Sequence, residues 1–254
     1  MSGPRLLDLF CGAGGAAMGY HRAGFDVVGV DINPQPRYPF EFHQADAVDL
    51  LRDIAGCRDL PGFYEVDAIH ASPPCQFFST MSAMPNAREH VDLLTPTREW
   101  LARMTVPWVI ENVPGAPLNA APPSLFSDTS GVTLCGSMFG LTADFDGTTY
   151  ELRRHRLFES NVPLAQPACR HRYPVIGFYG DHARTRQRTV AGHRDRGGDI
   201  TGLDRKMPLV RDLMGIDWMR WDEAVLAIPP AYTEFIGMQL LDRVPAPLVE
   251  GEQG

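Results

Sequence analysis

Lysine is almost missing from this chain: Lys206 is the lone lysine among 23 basic side chains, and the rest are arginine. That bias fits a GC-rich genome as readily as a function. Cysteine is scarce as well, with Cys11, Cys57, Cys75, Cys135 and Cys169 forming an odd set that contains no Cys-x-x-Cys pair. Such a set argues against a disulfide framework and against a zinc site, so no metal is expected. Four of the five read as reduced, mostly buried thiols. No apolar run approaches the roughly 18 residues needed to cross a bilayer. Met1 to Arg5 lead straight into a strand-like segment without a signal-peptide layout, so the expected location is the cytoplasm or nucleoid, with no membrane partner. Internal repeats and low-complexity tracts are absent too.

What is present describes a packed α/β protein. The 254 residues are 44% hydrophobic, enough for one large domain with a small appended lobe. Proline and glycine total 46 residues scattered among apolar segments, which implies many turns rather than disorder. The net charge of −8 argues, taken alone, against a polyanionic partner. Its distribution reverses that argument. From Ala168 to Arg211 there are ten basic residues and four aspartates, whereas the remainder holds 13 basic and 27 acidic side chains. An acidic body with a basic lobe can meet a phosphate backbone with one face only. A solvated arginine-rich loop is the plainer alternative. His171, His182 and His193 show no metal-ligand spacing and read as polar residues of that lobe.

The first ~115 residues alternate short apolar and amphipathic runs, the pattern of a parallel sheet wound with helices. Strands are expected at Leu6–Phe10, Phe25–Val30, Glu41–Gln44, Val66–Ala71 and Trp108–Glu111. A helix is expected at Gly14–Ala23, and another is capped by Thr95 with Pro96 at its first position, turning Trp100, Leu101 and Met104 to the sheet. Further strands are expected at Val132–Cys135 and Arg156–Glu159. The pattern is helical again from Pro208, with a Pro229–Pro230 break before Ala231–Leu241. The expected division is 1–161 for the catalytic part, 162–211 for the basic lobe, and 212–254 for helices returning to the catalytic part.

Two constellations carry chemistry. Asp8-Leu-Phe-Cys-Gly-Ala-Gly-Gly15 ends a strand and opens a helix, where glycines let the backbone approach a ligand at the positive end of the helix dipole. Asp31, at the tip of the second strand, can hold ribose hydroxyls, and Asp46 after the third can accept from an adenine amine. Both can equally be ordinary strand-end turn residues. The second constellation is Ser72-Pro-Pro-Cys-Gln-Phe-Phe-Ser79 after an apolar strand, followed 36 positions beyond Cys75 by Glu111-Asn-Val113. Two prolines hold the Cys75 thiol at a strand end, and parallel neighbours put Cys75 and Glu111 on one edge of the sheet.

With these segments in place, the chain resembles the cytosine-5 DNA methyltransferase family, in a short form similar to those of phage or mobile elements. The resemblance runs in family order through DLFCGAGG, GVDINP, SPPCQFFS, IENVPG, RRHRLFES and PPAYTEFIG. It implies a Rossmann-like sheet for S-adenosylmethionine-dependent methyl transfer, with a small basic target-recognition lobe. It implies that Cys75 attacks C6 of a flipped cytosine in double-stranded DNA and that Glu111 contacts N3 and the exocyclic amine. Asn112 orders the loop, and Arg154 and Arg156 reach the cytosine O2 and the active-site loop. Phe10, Gly12, Gly14, Gly15, Asp31, Ile32, Asp46 and Pro73 would surround the donor. A simple target sequence, a monomer and a place in restriction-modification are expected with it.

Chemically, C6 of cytosine is a poor electrophile, so a thiolate and a proton partner must act together. Nearby guanidinium charge favours the thiolate, and a base in a duplex must leave the stack to be reached. Leu152 stands where the family motif has Gln. Met238 follows Gly237 where the family has Gly-Asn near the donor, which leaves a modified S-adenosylmethionine analogue open as donor. A tRNA cytosine is the alternative substrate; duplex DNA and tRNA assays separate the two. A binding module derived from an inactive enzyme is opposed by the intact Cys75, Glu111, Arg154 and Arg156. Hydroxymethylation of a free pyrimidine nucleotide is opposed by the glycine turn with Asp31.

Overall fold

A computed structural model describes residues 3–56, 66–74, 91–119, 129–186 and 198–244. Apolar strands β1 (Arg5–Leu9), β2 (Asp26–Asp31), β3 (Glu41–Gln44), β4 (Ala68–Ala71) and β5 (Trp108–Asn112) lie parallel. Beyond β5 come β9 (Arg156–Ser160), antiparallel to it, and then β6 (Ser130–Leu134), giving the order β3-β2-β1-β4-β5-β9-β6. Strand order reverses between β1 and β4, so the crevice at their carboxyl ends is where a ligand is received in such a sheet. The five parallel strands fall within about two residues of the sequence expectation, and Glu41–Gln44 matches it at both ends.

Helix α1 (Gly15–Ala23) packs against α6 (Pro230–Leu241) on one face of the sheet. Their approach is close because Gly19 has no Cβ: one there would collide with the Thr233 hydroxyl and the Pro230 carbonyl. Thr233 Oγ1 also donates to Ala16 O at 2.8 Å. On the opposite face lie α2 (Ala47–Ala55), which the sequence reading did not single out, and α3 (Leu94–Leu101). Leu101 is buried and Trp100 and Met104 pack beside it, as expected. The cap differs from expectation. Asp92, not Thr95, closes the helix start, accepting from Leu94 N at 3.0 Å and Thr95 N at 3.2 Å, because its carboxylate sits two residues ahead of the first free amide.

A second sheet has the order β12-β11-β10-β8-β7, made of β7 (Thr142–Phe145), β8 (Thr148–Leu152), β10 (Val175–Tyr179), β11 (His182–Arg186) and β12 (Asp199–Ile200). It thus draws two strands from the stretch 1–161 as well as those of the basic segment. Helices α4 (Leu203–Met214) and α5 (Trp221–Ala224) pack with it around Ile176, Phe178, Val210 and Leu213. Leu152, at the position of the family's Gln, is buried here, so an apolar side chain suits its surroundings. No helix among the described residues is long and apolar enough to cross a membrane.

Candidate active site

At the carboxyl ends of β1, β4 and β5 a cavity of about 460 Å³ opens. The turn after β1 forms one wall through Phe10–Ala13, Gly15 and Ala16; Ser72–Pro74 after β4 form the next; Glu111 and Val113 of the β5 edge and Arg156 complete it. Phe10 adopts φ 58°, an uncommon conformation for a non-glycine residue of the sort found at ligand sites. Gly12 also has positive φ, and a Cβ there would meet nothing within 4 Å, so its backbone faces open space. Asp31 stabilises the turn: its carboxylate accepts Gly12 N at 3.1 Å and Asn33 N at 2.9 Å. Trp218 Nε1 donates to Ala13 O at 2.8 Å, and Arg37 grips Glu223 through two bonds of 2.6 and 2.7 Å, fixing the outer wall.

The chemical end is more buried. Arg156 Nε stands 2.9 Å from Glu111 Oε1, yet that oxygen lacks an aligned hydrogen-bond donor among the described residues. Burial raises the Glu111 carboxyl above its ordinary range, against the lowering pull of Arg156 and Arg154 and a bond from Ser72. A carboxyl of this kind retains a proton more readily and can donate to a ring nitrogen. Asn112 Nδ2 donates to Pro73 O at 3.0 Å and its Oδ1 accepts Val113 N at 2.9 Å, tying the proline loop to β5. Behind Ser72, a buried relay runs from its hydroxyl to His70 Nε2 at 2.8 Å and from His70 Nδ1 to Tyr20 Oη at 2.9 Å. Burial pushes His70 down to about 3, so the imidazole is neutral throughout the physiological range.

A profile described as C-5 cytosine-specific DNA methylase matches residues 4–117. Type II methyltransferase M.HgiGI of Herpetosiphon aurantiacus is 30% identical over 120 residues, which cover 45% of this chain and 94% of that relative. The chain belongs to the C-5 cytosine-specific DNA methylase family. Type II methyltransferase M.XorII of Xanthomonas oryzae pv. oryzae is 38% identical over 91 residues, 31% of this chain but only 20% of that relative. The chain therefore spans about a fifth of the length of the first relatives it matches. In fold it is similar to a putative DNA modification methyltransferase encoded within an E. coli prophage, with TM-score 0.51 and 15% identity, covering 94% of this chain and 99% of the other.

Set against the family's layout, the expected residues divide. Phe10, Gly12, Gly15, Pro73, Glu111 and Arg156 line the cavity. Asn112 supports it from behind. Cys75 follows Pro74 directly in sequence but lies outside the described residues. Gly14 is not in the lining; a Cβ there would press on Pro39 and Tyr38, so this glycine serves the packing of the turn. Asp46 is spent on capping α2, its Oδ1 accepting Val48 N at 2.8 Å and Asp49 N at 3.0 Å, while Ile32 is an exposed side chain beyond the tip of β2. Arg154 turns away: its Nη2 donates to Val225 O at 2.8 Å, and burial with the Arg156 charge lowers it to about 9, still protonated at neutral pH.

Met238 is a correction. The helix α6 turns Tyr232, Ile236 and Leu240 inward, which leaves Met238 52% exposed and outside the cavity lining. Gln239 is not a cavity residue either, since its Oε1 accepts Ala165 N at 2.6 Å. The wall is made by Leu226, Ala227 and Ile228, ahead of the Pro229–Pro230 break.

Sequence reasoning also passed over Asp8, fully buried on β1 and part of the cavity floor. The Tyr38 hydroxyl approaches its Oδ2 at 3.5 Å and the Ala17 backbone also bears on it, while its Oδ1 has no partner among the described residues. Burial, aided by the charge of Asp31, raises its pKa from 3.8 to about 8. Because the folded value lies above the unfolded one, this group's stabilisation is complete below pH ~4 and is lost as pH rises through about 8. Asp8→Asn removes the titration. Its melting temperature is expected to exceed that of the parent by several degrees at pH 9, at roughly 2–4 °C per kcal/mol for a chain of this size, and not at pH 4. Parallel melting curves across that interval would contradict a buried, proton-bearing Asp8.

Proposed function

We propose that the protein transfers a methyl group from S-adenosylmethionine to C5 of a cytosine flipped out of double-stranded DNA. The observation that carries this reading is a single cavity shared by the glycine turn after β1 and by the Pro73–Pro74, Glu111 and Arg156 cluster. A donor and an acceptor bound there would share one space.

The residues present fit the donor. The open backbone at Gly12 and the ring of Phe10 provide a cradle, the Asp31 carboxylate lies beside it for ribose hydroxyls, and Ile32 offers an apolar face. S-adenosylmethionine, when bound, supplies an electrophilic methyl group. Cys75, as thiolate, adds to C6 of the cytosine and makes C5 nucleophilic. Glu111 receives the N3 edge, its raised carboxyl giving a proton as charge enters the ring, and Arg156 holds that carboxyl in place. Asn112 fixes the proline loop that presents Cys75. Once C5 has taken the methyl group, loss of its proton to water, expulsion of the thiolate and return of the N3 proton to Glu111 restore the ring and the enzyme.

The basic segment is proposed to meet phosphates, with fewer free charges than its composition suggests. Arg184 is paired with Asp199, Arg205 with Asp146, and Lys206 donates to Asp181 O at 2.6 Å beside the Trp221 ring. Arg188, Arg194 and Arg196 lie outside the described residues. Bisulfite sequencing of host DNA after expression tests the reaction and its sequence context together. Protected cytosines in one short recurrent sequence are expected; fully converted DNA, with transfer to tRNA instead, would overturn the choice of substrate.

A further inference from the structure

Cysteines and histidines that look unrelated in sequence converge in the structure. Cys135 lies at the end of β6, His155 between Arg154 and Arg156, and Cys169 and His171 in the connection from β9 to β10. One ligand atom from each of the four lies within 4.8 Å of all the others. His171 Nε2 is 3.5 Å from Cys135 Sγ and 3.1 Å from Cys169 Sγ, and His155 Nε2 is 3.8 Å from Cys169 Sγ. A tetrahedron with metal–sulfur bonds of about 2.3 Å and metal–nitrogen bonds of about 2.0–2.1 Å has edges of roughly 3.3–3.8 Å. Three of the sulfur–nitrogen separations, 3.1, 3.5 and 3.8 Å, lie close to that range, and every other separation is within 4.8 Å, so small side-chain shifts complete a tetrahedron. This corrects the expectation that the cysteines and histidines have no ligand arrangement: their spacing is set by three chain segments rather than by one motif.

We propose that Cys135, His155, Cys169 and His171 bind one zinc ion as a closed, structural Cys2His2 site. Four protein ligands leave no position for water or substrate, which separates it from a catalytic zinc. Binding of the dication displaces two thiol protons to solvent and leaves a site with no net charge, with both imidazoles neutral. Ser137 Oγ stands 3.3 Å from Cys135 Sγ and 3.5 Å from Cys169 Sγ, placed to donate to a thiolate and orient it.

The location gives the ion work to do. Residues 161–174 link the two sheets without helix or strand. This stretch is tied at one end by Gln166 to Thr133 N at 2.7 Å and by Gln239 to Ala165 N. At the other end Glu151 accepts Arg172 N at 3.0 Å and Arg153 donates to Tyr173 O at 2.6 Å. Residues 167–171 lie between these anchors, and a metal would lock them to the end of β6. It would also lock His155, whose carbonyl accepts Arg156 Nη1 at 2.9 Å. The zinc would thus fix the base of the arginine that faces Glu111.

The test needs no methyl transfer. The full chain, purified under reducing conditions without chelator, should contain about one zinc per molecule by elemental analysis. After chelation and cobalt(II) loading, it should show the thiolate charge-transfer and visible ligand-field absorption of a tetrahedral S2N2 site. Chelation should lower the melting temperature by several degrees, since metal bound only to the folded state stabilises it. Cys169→Ser and His171→Ala should each weaken cobalt binding at least tenfold, while His182→Ala in β11 should leave it unchanged. Should a variant fail to fold, the cobalt spectrum of the unaltered chain decides alone. Zinc below about a tenth of an equivalent together with no cobalt absorption would overturn the proposal. A Cys135–Cys169 disulfide whose reduced form takes up no metal would overturn it equally.

Discussion

Replacement of Glu111 by Gln is expected to lower kcat/KM by about two to four orders of magnitude while DNA affinity stays within about tenfold. The substitution is nearly isosteric, so the buried strand edge remains packed. It removes the titratable proton that the raised carboxyl can offer to the cytosine ring, while keeping a polar group 2.9 Å from the Arg156 guanidinium. A pH profile separates this role from a structural one. Burial raises Glu111, so its proton persists to higher pH than in an ordinary carboxyl, and transfer should decline as pH rises past that point. In Glu111→Gln that descending limb should vanish along with most of the rate. A variant with unchanged kcat/KM, or one retaining the same descending limb, would remove Glu111 from the chemistry.

Cys75→Ser should leave less than a few percent of methyl transfer, with DNA affinity again within about tenfold, because the thiol supplies chemistry and little binding energy. A serine hydroxyl ionises far less readily than a thiol and is the weaker nucleophile at neutral pH. Substantial turnover in Cys75→Ser would exclude the covalent route. Restoration of activity to Cys75→Ser by Glu111 variants is not expected.

Much of the catalytic sheet was legible because its strands are short apolar runs closed by small or acidic residues. Leu6, Leu7 and Leu9 of β1 and Ile69 of β4 are buried on both faces of a parallel sheet, which produces such runs. The hairpin of β7 and β8 was missed because Thr142–Phe145 and Thr148–Leu152 are half polar. A signal was present in Asp146-Gly147, both with positive φ, the pair that a tight hairpin turn favours. Within the site, Glu111 could be read from its place at the end of a strand, and Arg156 from the family motif that it matches. The burial that tunes Glu111, the Tyr20–His70–Ser72 relay and the proton on Asp8 depend on packing and had no sequence signal. Met238 was misplaced because the helical period does not say which face of α6 meets α1; Gly19 decides that by allowing the two helices together. The Cys135, His155, Cys169 and His171 cluster was invisible for a related reason, since three segments must fold before the ligands meet.

The central claim is that one chain holds a cytosine covalently through Cys75 while the donor occupies the cavity shared with Glu111. Duplex DNA bearing 5-fluorocytosine at the recognised position tests it directly, incubated with the protein and S-adenosylmethionine. Fluorine cannot leave C5 as a cation, so elimination stalls after transfer. The account predicts a denaturation-resistant protein–DNA complex whose peptide map places the bond on Cys75. A preparation that methylates unmodified duplex yet forms no adduct, or forms one at another residue, would contradict it.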